Sequence, residues 1–207
     1  MTALDAEAVF ARAEQIGGWL PRTPDMETLY AIARLQERPG GLFLEVGSWK
    51  GRSSYILAAV AHAAGARLVC LDTWHGYVNR SAPCFAEAEQ DRDFIRHIKA
   101  NLAEFGVAEA TVNPGALGAT VTLWPGVSWD EARIMDNHQF DLVFLDADHD
   151  SPGFDQDVAA FWPKVRHGGV LCGHDYGHPD FPDVKRVVDR EFLTATHTGP
   201  VWYVWKV

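Results

Sequence analysis

The chain is poor in basic residues, in cysteines and in long apolar runs, and each shortage excludes a class of protein. Its 207 residues carry 18 Lys and Arg against 28 Asp and Glu, and this net charge of −10 disfavours binding along a nucleic-acid backbone. The three cysteines form neither a C-x-x-C pair nor an even-numbered disulfide framework, which favours a reducing compartment. No apolar run is long enough to span a membrane, and Asp5, Glu7 and Glu14 interrupt any signal-peptide pattern. We therefore expect a cytoplasmic protein that contacts neither nucleic acid nor membrane.

Two motifs of common enzyme classes are also missing. The chain has no G-x-S-x-G elbow, which argues against a hydrolase. It has no G-x-G-x-x-G fingerprint, because Ser48 and Trp49 follow Gly47, and this disfavours a nicotinamide-dependent oxidoreductase. The function must therefore be inferred from other residues.

The hydrophobic content of 47% is sufficient for one large core, and we expect a single domain over residues 1–207. N-terminal helices (1–38), the second capped by Thr23, precede an α/β core (40–207) in which strand and helix patterns alternate. This alternation predicts a doubly wound, Rossmann-like, mostly parallel sheet with helices on both faces. A hairpin at Thr198–Pro200 makes the C-terminal strand antiparallel. The predicted strands of the core are 42–47, 67–72, 120–124, 140–146, 168–174 and 201–207, and its predicted helices are 51–63, 91–105, 153–166 and 181–192.

The most informative segment is the first strand of the core and the loop after it. The apolar run from Leu42 to Val46 contains Glu45 and leads into a turn with Gly47 and Gly51. Glycine there lets the backbone turn tightly and approach a ligand with no Cβ in the way. Asp72 ends the second strand about 20 residues later, where a carboxylate can accept hydrogen bonds from ribose hydroxyls. The pattern predicts a cofactor that contains ribose.

Glu45 indicates the charge of that cofactor. A carboxylate at the entrance to the loop suits an ammonium and a sulfonium better than a pyrophosphate. The residues therefore favour S-adenosylmethionine over a nicotinamide dinucleotide.

A second group of polar residues follows the later strands. Asp146 and His149 come after one predicted strand, and His174 and Asp175 after the next. Parallel strands end at one edge of a sheet, so we expect these side chains to be neighbours. Carboxylates with imidazoles suit a divalent metal, Mg²⁺ for an oxygen-rich site and Zn²⁺ or Mn²⁺ for one with more histidine. They equally suit a general base, with His149 or His174 as the proton acceptor, and the sequence leaves both alternatives open.

These motifs together resemble class I S-adenosylmethionine-dependent methyltransferases, and within them the bacterial branch that includes macrocin-type O-methyltransferases. Beyond the glycine loop, the likeness rests on residues 71–76 (LDTWHG), 141–149 (DLVFLDADH) and 168–176 (GGVLCGHDY). It covers residues from about 40 to about 192.

The resemblance assigns roles to individual residues. It implies that the backbone at Gly47 and Ser48 contacts the methionine part of the cofactor and that Asp72 binds the ribose. In metal-dependent members a carboxylate after the fourth strand and an acidic pair after the fifth hold the ion; here His174 replaces the first acid of that pair. The expected metal ligands are Asp146, Asp175 and His174, and the expected catalytic residues are Asp146, His149 and His174. The full set expected to contact the cofactor is Glu45, Gly47, Ser48, Gly51, Ser53, Asp72, Thr73, Trp74, Gly126, Ser128 and Asp146, with Gly126 and Ser128 beside the adenine.

We expect a methyltransferase that acts on a small-molecule acceptor, at a hydroxyl oxygen, with S-adenosylmethionine as cofactor. A divalent cation, Mg²⁺ or another, stays open as the alternative to a histidine base acting alone. The loops His75–Gln90 and Val112–Ala119, with Tyr77, Asn79 and Arg80 among their residues, are candidates for acceptor recognition. Two alternatives remain, a nicotinamide-dependent oxidoreductase and a non-catalytic subunit that binds S-adenosylmethionine. A homo-oligomer is compatible with the sequence.

Overall fold

The structure is a computed structural model that describes residues 4–75, 93–110 and 119–207. Tyr77, Asn79 and Arg80, and most of the two loops expected to recognise the acceptor, lie outside the described residues.

In the described part of the chain, eight strands form one sheet in the order β3-β4-β2-β1-β5-β6-β8-β7. The strands from β3 to β6 in that order are parallel, whereas β8 runs antiparallel to β6 and β7 antiparallel to β8. The doubly wound, mostly parallel sheet with an antiparallel C-terminal strand is therefore confirmed. The strands are β1 (Leu42–Val46), β2 (Arg67–Asp72), β3 (Val107–Glu109), β4 (Val121–Pro125), β5 (Phe140–Leu145), β6 (Val165–Gly173), β7 (Thr196–Thr198) and β8 (Val201–Trp205).

Helices cover both faces of this sheet and form two hydrophobic cores. The first four helices contribute Val9, Leu29, Ile56 and Ile98 to one core, and the later helices contribute residues such as Val158 to the other. Each strand side chain therefore meets an apolar layer on its own face, as a doubly wound sheet requires. The helices are α1 (Ala6–Glu14), α2 (Glu27–Leu35), α3 (Arg52–Ala64), α4 (Phe94–Leu102), α5 (Ser128–Glu131), α6 (Gly153–Phe161) and α7 (Pro182–Glu191).

Short and irregular elements differ from the prediction. The three-residue strands β3 and β7 and the four-residue helix α5 are too short to leave a periodic pattern. The predicted start of the second helix at Thr23 differs from the structure. Thr23 has the extended backbone that is usual before a helix (φ −113°, ψ 127°), but it lies inside the irregular turn Arg22–Met26, and the regular helix α2 begins at Glu27.

The strand order places the site. Strand β1 lies between β2 and β5, so the chain turns in opposite directions from the ends of β1 and β5 and opens a crevice there. The crevice lies at the carboxyl ends of the parallel strands, where Gly47, Asp72 and Asp146 are found. In the described residues, no helix combines the length and the apolar character needed to cross a membrane.

At the end of the sheet opposite to the crevice, Asp141 connects several strands through hydrogen bonds. Its carboxylate is fully buried and accepts hydrogen bonds from Arg38 Nε (2.5 Å) and Nη2 (2.9 Å), from the Leu42 amide (2.8 Å) and from Arg166. Burial by itself would raise the pKa of Asp141, but these hydrogen bonds outweigh it and hold the pKa below its usual range. One carboxylate thus joins the starts of β1, β5 and β6.

We expect Asp141→Ala to lower the free energy of unfolding by about 3 kcal/mol, because it leaves two guanidinium groups without their buried partner. A depressed pKa in the folded state adds stability above the unfolded value of about 3.9, and that stability is lost as the pH falls through the folded pKa. Urea unfolding at pH 7 and at pH 3 should therefore show a smaller difference from wild type at pH 3. The exposed Asp136→Ala serves as control, and an equal effect of the two substitutions would contradict the assignment.

Candidate active site

A cavity of about 660 Å³ opens at the carboxyl ends of the parallel strands. Its volume lies in the range of about 300 to 1,000 Å³ that is usual for small-molecule sites. The loops after β1, β2, β4, β5 and β6 all contribute to its wall. The expected cofactor residues that line it are Gly47, Ser48, Ser53, Asp72, Thr73, Trp74, Gly126, Ser128 and Asp146.

Gly47 lies where the β1 loop meets the end of β5. It adopts φ +86°, and its amide donates to the Leu71 carbonyl at 2.9 Å. A Cβ at this position would lie 2.3 Å from the carbonyl oxygen of Asp146 and 2.6 Å from the Ala147 nitrogen. The sequence indicates that glycine is needed here to make room for a ligand. The structure adds a second reason for glycine, because the backbone of Asp146 and Ala147 occupies the space that a Cβ would need.

Asp72 holds the β1 loop in place. Its Oδ2 accepts hydrogen bonds from the amides of Ser48 (2.8 Å) and Trp49 (2.9 Å), and its Oδ1 accepts one from the Trp74 amide (2.7 Å). An ionised carboxylate has about four acceptor positions, so these bonds leave room for about one more donor. Asp72 therefore organises the loop and keeps about one acceptor position for a further donor.

Two of the expected cofactor residues do not line the cavity. Glu45 is fully buried on the α3 face of β1, where Ser54 donates to its Oε2 and its Oε1 has no partner among the described residues. Burial raises the pKa of Glu45 to about 7. Gly51 begins α3 with φ +92°, and a Cβ there would meet Ile98 at 2.9 Å. Both residues support the β1 loop from the side away from the cavity. The sequence pattern indicates a turn at these positions, but it does not indicate the direction of each side chain.

Aromatic rings form another part of the cavity wall. Trp19 stacks on Trp49 with ring centroids 4.5 Å apart and planes 8° apart. Trp74 is buried, with φ +48°, and its indole nitrogen donates to the Trp49 carbonyl at 3.3 Å. Trp19 was not predicted as a site residue, because no local pattern around it indicates a contact with the β1 loop.

Asp146, His149 and Asp175 form a group that we name the acid–imidazole cluster. His149 Nε2 lies 2.9 Å from Asp175 Oδ2 and 3.4 Å from Asp146 Oδ1. Burial would lower the pKa of His149, but the hydrogen bonds to the two carboxylates outweigh it and raise the pKa to about 9. The three ligand atoms lie within 4.8 Å of one another, which suits a shared metal ion.

His174 has a different environment from the one expected for a metal ligand. Its Nε2 lies 2.8 Å from Asp25 Oδ2, and its Nδ1 lies 3.3 Å from Asp175 Oδ2. Burial would lower the pKa of His174, but Asp175 and Asp25 raise it to about 10. The geometry thus groups His149, and not His174, with the two expected carboxylate ligands. Asp25 was missed, because it is 149 residues away in the chain.

A further buried acid lies on the adenine side predicted for the cavity. Ser128 donates to Asp157 Oδ1, and burial raises the pKa of Asp157 to about 7. Asp157 lies in α6, on its buried face, and also lines the cavity. Its spacing along α6 is that of a core position, so the sequence pattern does not mark it as a site residue.

Comparison with known families identifies the chain. A family model described as a methyltransferase domain matches residues 44–176, which include the β1 loop, Asp72 and the whole acid–imidazole cluster. The chain belongs to this methyltransferase family. It is an enzyme, a methyltransferase that uses S-adenosylmethionine as the methyl donor. The nicotinamide-dependent and non-catalytic alternatives receive no support.

Solved structures share the fold of this methyltransferase. A methyltransferase from Geobacter sulfurreducens has a TM-score of 0.62 at 18% identity, with 98% of this chain and 90% of that chain covered. An O-methyltransferase from Bacillus cereus in complex with SAH has a TM-score of 0.60 at 15% identity, with 98% and 91% covered. The O-methyltransferase TomG from Streptomyces achromogenes in complex with SAM has a TM-score of 0.56 at 20% identity, with 98% and 90% covered. At these identities the likeness concerns the fold.

We expect Gly47→Ala to destabilise the methyltransferase more than Gly65→Ala. Both glycines have positive φ, which costs an alanine about 1 to 2 kcal/mol, but Gly65 has open space where its Cβ would go. The clash with the Asp146 carbonyl should add about 1 to 3 kcal/mol at Gly47. Chemical denaturation of the two variants measures the difference, and equal stabilities would contradict the contact.

We expect Asp72→Ala to weaken binding of S-adenosylhomocysteine by about 10- to 100-fold, because each hydrogen bond to a charged group contributes about 1.5 to 3 kcal/mol. The loss combines the expected ribose contact with release of the Ser48 and Trp49 amides. Titration calorimetry measures it, with the exposed cavity residue Asp180→Ala as control. Unchanged affinity in Asp72→Ala would refute the role of this carboxylate.

Proposed function

We propose that this methyltransferase transfers the methyl group of S-adenosylmethionine to a hydroxyl oxygen of a small-molecule acceptor. The observation that carries the proposal is that the β1 loop with Asp72 and the acid–imidazole cluster line one cavity. A donor bound at the loop would therefore have polar groups beside its reactive end. The neighbours from Bacillus cereus and Streptomyces achromogenes, both named O-methyltransferases, support oxygen as the acceptor atom.

The cavity wall suits the donor. Ser48 lines the cavity next to Gly47, and the hydrogen bonds of Asp72 to the Ser48 and Trp49 amides hold this stretch of backbone at the wall. We place the methionine part of the donor at Gly47 and Ser48, the ribose at Asp72, and the adenine near Gly126 and Ser128. When bound, the donor supplies a methyl group on a positively charged sulfur.

The charge of the wall supports a small acceptor that is not a polyanion. Asp72, Asp146 and Asp157 are three of the acids that line the cavity. Among its described lining residues Arg52 is the single Lys or Arg, and its guanidinium donates to the carbonyls of Ile16 (2.6 Å) and Leu20 (3.2 Å). A nucleic-acid backbone would meet carboxylates there with no free cation to pair with.

The acid–imidazole cluster fits a divalent ion. Two carboxylates and one imidazole suit Mn²⁺ or Zn²⁺ better than Mg²⁺, which prefers oxygen ligands. We propose that Asp146, His149 and Asp175 hold this ion. When bound, the ion supplies a Lewis acid that lowers the pKa of an acceptor hydroxyl.

The protein itself contributes orientation. Transfer forms a bond between the acceptor oxygen and the methyl carbon, breaks the carbon–sulfur bond with its electron pair left on sulfur, and passes the hydroxyl proton to solvent. Asp146 follows β5 directly beside Gly47, so it holds the acceptor side of the cavity next to the donor side. Alignment of the two reacting atoms is the main source of catalysis in such a displacement. His149 Nε2 is enclosed by two carboxylates, which supports its role as a ligand over that of a free base.

The test is an assay of S-adenosylhomocysteine formation with a panel of small hydroxyl compounds, each paired with its amine analogue. We expect turnover of hydroxyl compounds, loss of turnover with a chelator, and recovery with Mn²⁺. Asp146→Asn should require at least about tenfold more Mn²⁺ than wild type, because it removes one charged ligand.

The control variant is Asp180→Asn, which changes an exposed acid on the same cavity wall and should behave as wild type. Turnover of the amine partner in preference to the hydroxyl would refute the acceptor assignment. Full activity with chelator present, in both wild type and Asp146→Asn, would refute the ion.

A further inference from the structure

The N-terminal segment, residues 17–26, lies outside the matched family region of residues 44–176 but forms part of the cavity. It contributes Trp19, Leu20 and Asp25 to the wall. Trp19 and Leu20 provide apolar surface, whereas Asp25 brings a buried charge into the site. The segment therefore contributes side chains to the cavity as well as packing against the sheet.

Asp25 makes one specific contact from this segment. Its Oδ2 lies 2.8 Å from His174 Nε2, and the two residues are 2% and 9% exposed. Its Oδ1 is buried with no partner among the described residues. A buried pair of this kind gives little stability in comparison with apolar packing, because burying the charges costs about as much as the pairing returns. Stability is therefore a weak explanation for this contact.

The contact continues from His174 into the acid–imidazole cluster. With Nε2 directed to Asp25, the ring of His174 directs Nδ1 to Asp175 Oδ2 at 3.3 Å. The same oxygen lies 2.9 Å from His149 Nε2. Asp175 also has φ +61°, which is uncommon for a residue other than glycine and is maintained by its surroundings. Asp25 is the outermost member of this chain of contacts.

We propose that Asp25 is a positioning residue of the active site, which fixes the ring of His174 and through it the carboxylate of Asp175. This inference rests on the proposed function, which assigns the acid–imidazole cluster its role as an ion site. The contacts of Asp25, His174 and Asp175 are present without a bound ion. Asp25 contacts His174 directly, and we propose that its effect on Asp175 and His149 passes through that ring.

The first experiment needs no ligand. Long-range ¹H–¹⁵N spectra of protein labelled with ¹⁵N-histidine, recorded with EDTA present, report the ring nitrogens of each imidazole, and the variants His174→Gln and His149→Gln assign the two signals. We expect Asp25→Asn, which keeps the shape of the side chain, to shift the ring nitrogens of both His174 and His149. Glu27→Gln, an exposed change directly after the same turn, should shift neither. A shift confined to His174 would overturn the proposal.

The second experiment uses Mn²⁺ as the probe, with free ion measured by electron paramagnetic resonance. We expect Asp25→Asn to weaken Mn²⁺ binding by about 10- to 100-fold, as is usual for partners behind metal ligands. The same substitution in a His174→Gln background should have no further effect, because the route through the ring is already lost. Independent, additive losses would show a general structural effect and would overturn the proposal.

Failure of the proposed function gives a different result from failure of this inference. If wild type binds no Mn²⁺, the ion assignment fails, and the histidine spectra alone decide the role of Asp25. Binding of S-adenosylhomocysteine should stay within a few fold in Asp25→Asn, since Asp72 and Gly47 lie on the donor side. If Asp25→Asn does not fold, Asp25→Ser is measured in its place by the same spectra.

Discussion

The close approach of the β1 loop to the end of β5 is the constraint on which the site depends. The Asp146 amide donates to the Val46 carbonyl at 2.8 Å, and the Asp146 carbonyl fills the space that a side chain at Gly47 would need. These contacts fix the distance between the donor loop and the first acid of the cluster. Because the connections that follow β1 and β5 lead in opposite directions, this one backbone junction sets the position of the β1 loop relative to the acid–imidazole cluster.

The charges of the carboxylates and imidazoles around the acid–imidazole cluster determine the protonation of its histidines. Asp25, Asp146 and Asp175 surround two imidazoles, and both histidines have raised pKa values as a result. Asp146, His149 and Asp175 would hold the proposed ion, and His149 would have to be neutral to act as a ligand. Binding of the ion would therefore be linked to release of a proton.

The sequence predicted the parts of the structure that depend on local pattern. The strand ends at Asp72 and Asp146 and the turn at Gly47 follow from apolar runs and glycine spacing, and they lie where expected. The direction of the Glu45 side chain was not predicted. Successive side chains of β1 point to opposite faces of the sheet, and Glu45 points to α3, away from the cavity. Asp25 and Trp19 could not be predicted at all, since only tertiary packing brings them to strands far along the chain.

The contact between Asp25 and His174 also has a kinetic meaning. It joins residues 149 positions apart, so it forms only after β6 has entered the sheet and the N-terminal segment has docked over it. The hydrogen bonds of Asp72 to the Ser48 and Trp49 amides, by contrast, join residues only 24 and 23 positions apart. The contacts on the two sides of the cavity therefore close very different lengths of chain, a short one around the β1 loop and a long one between Asp25 and His174.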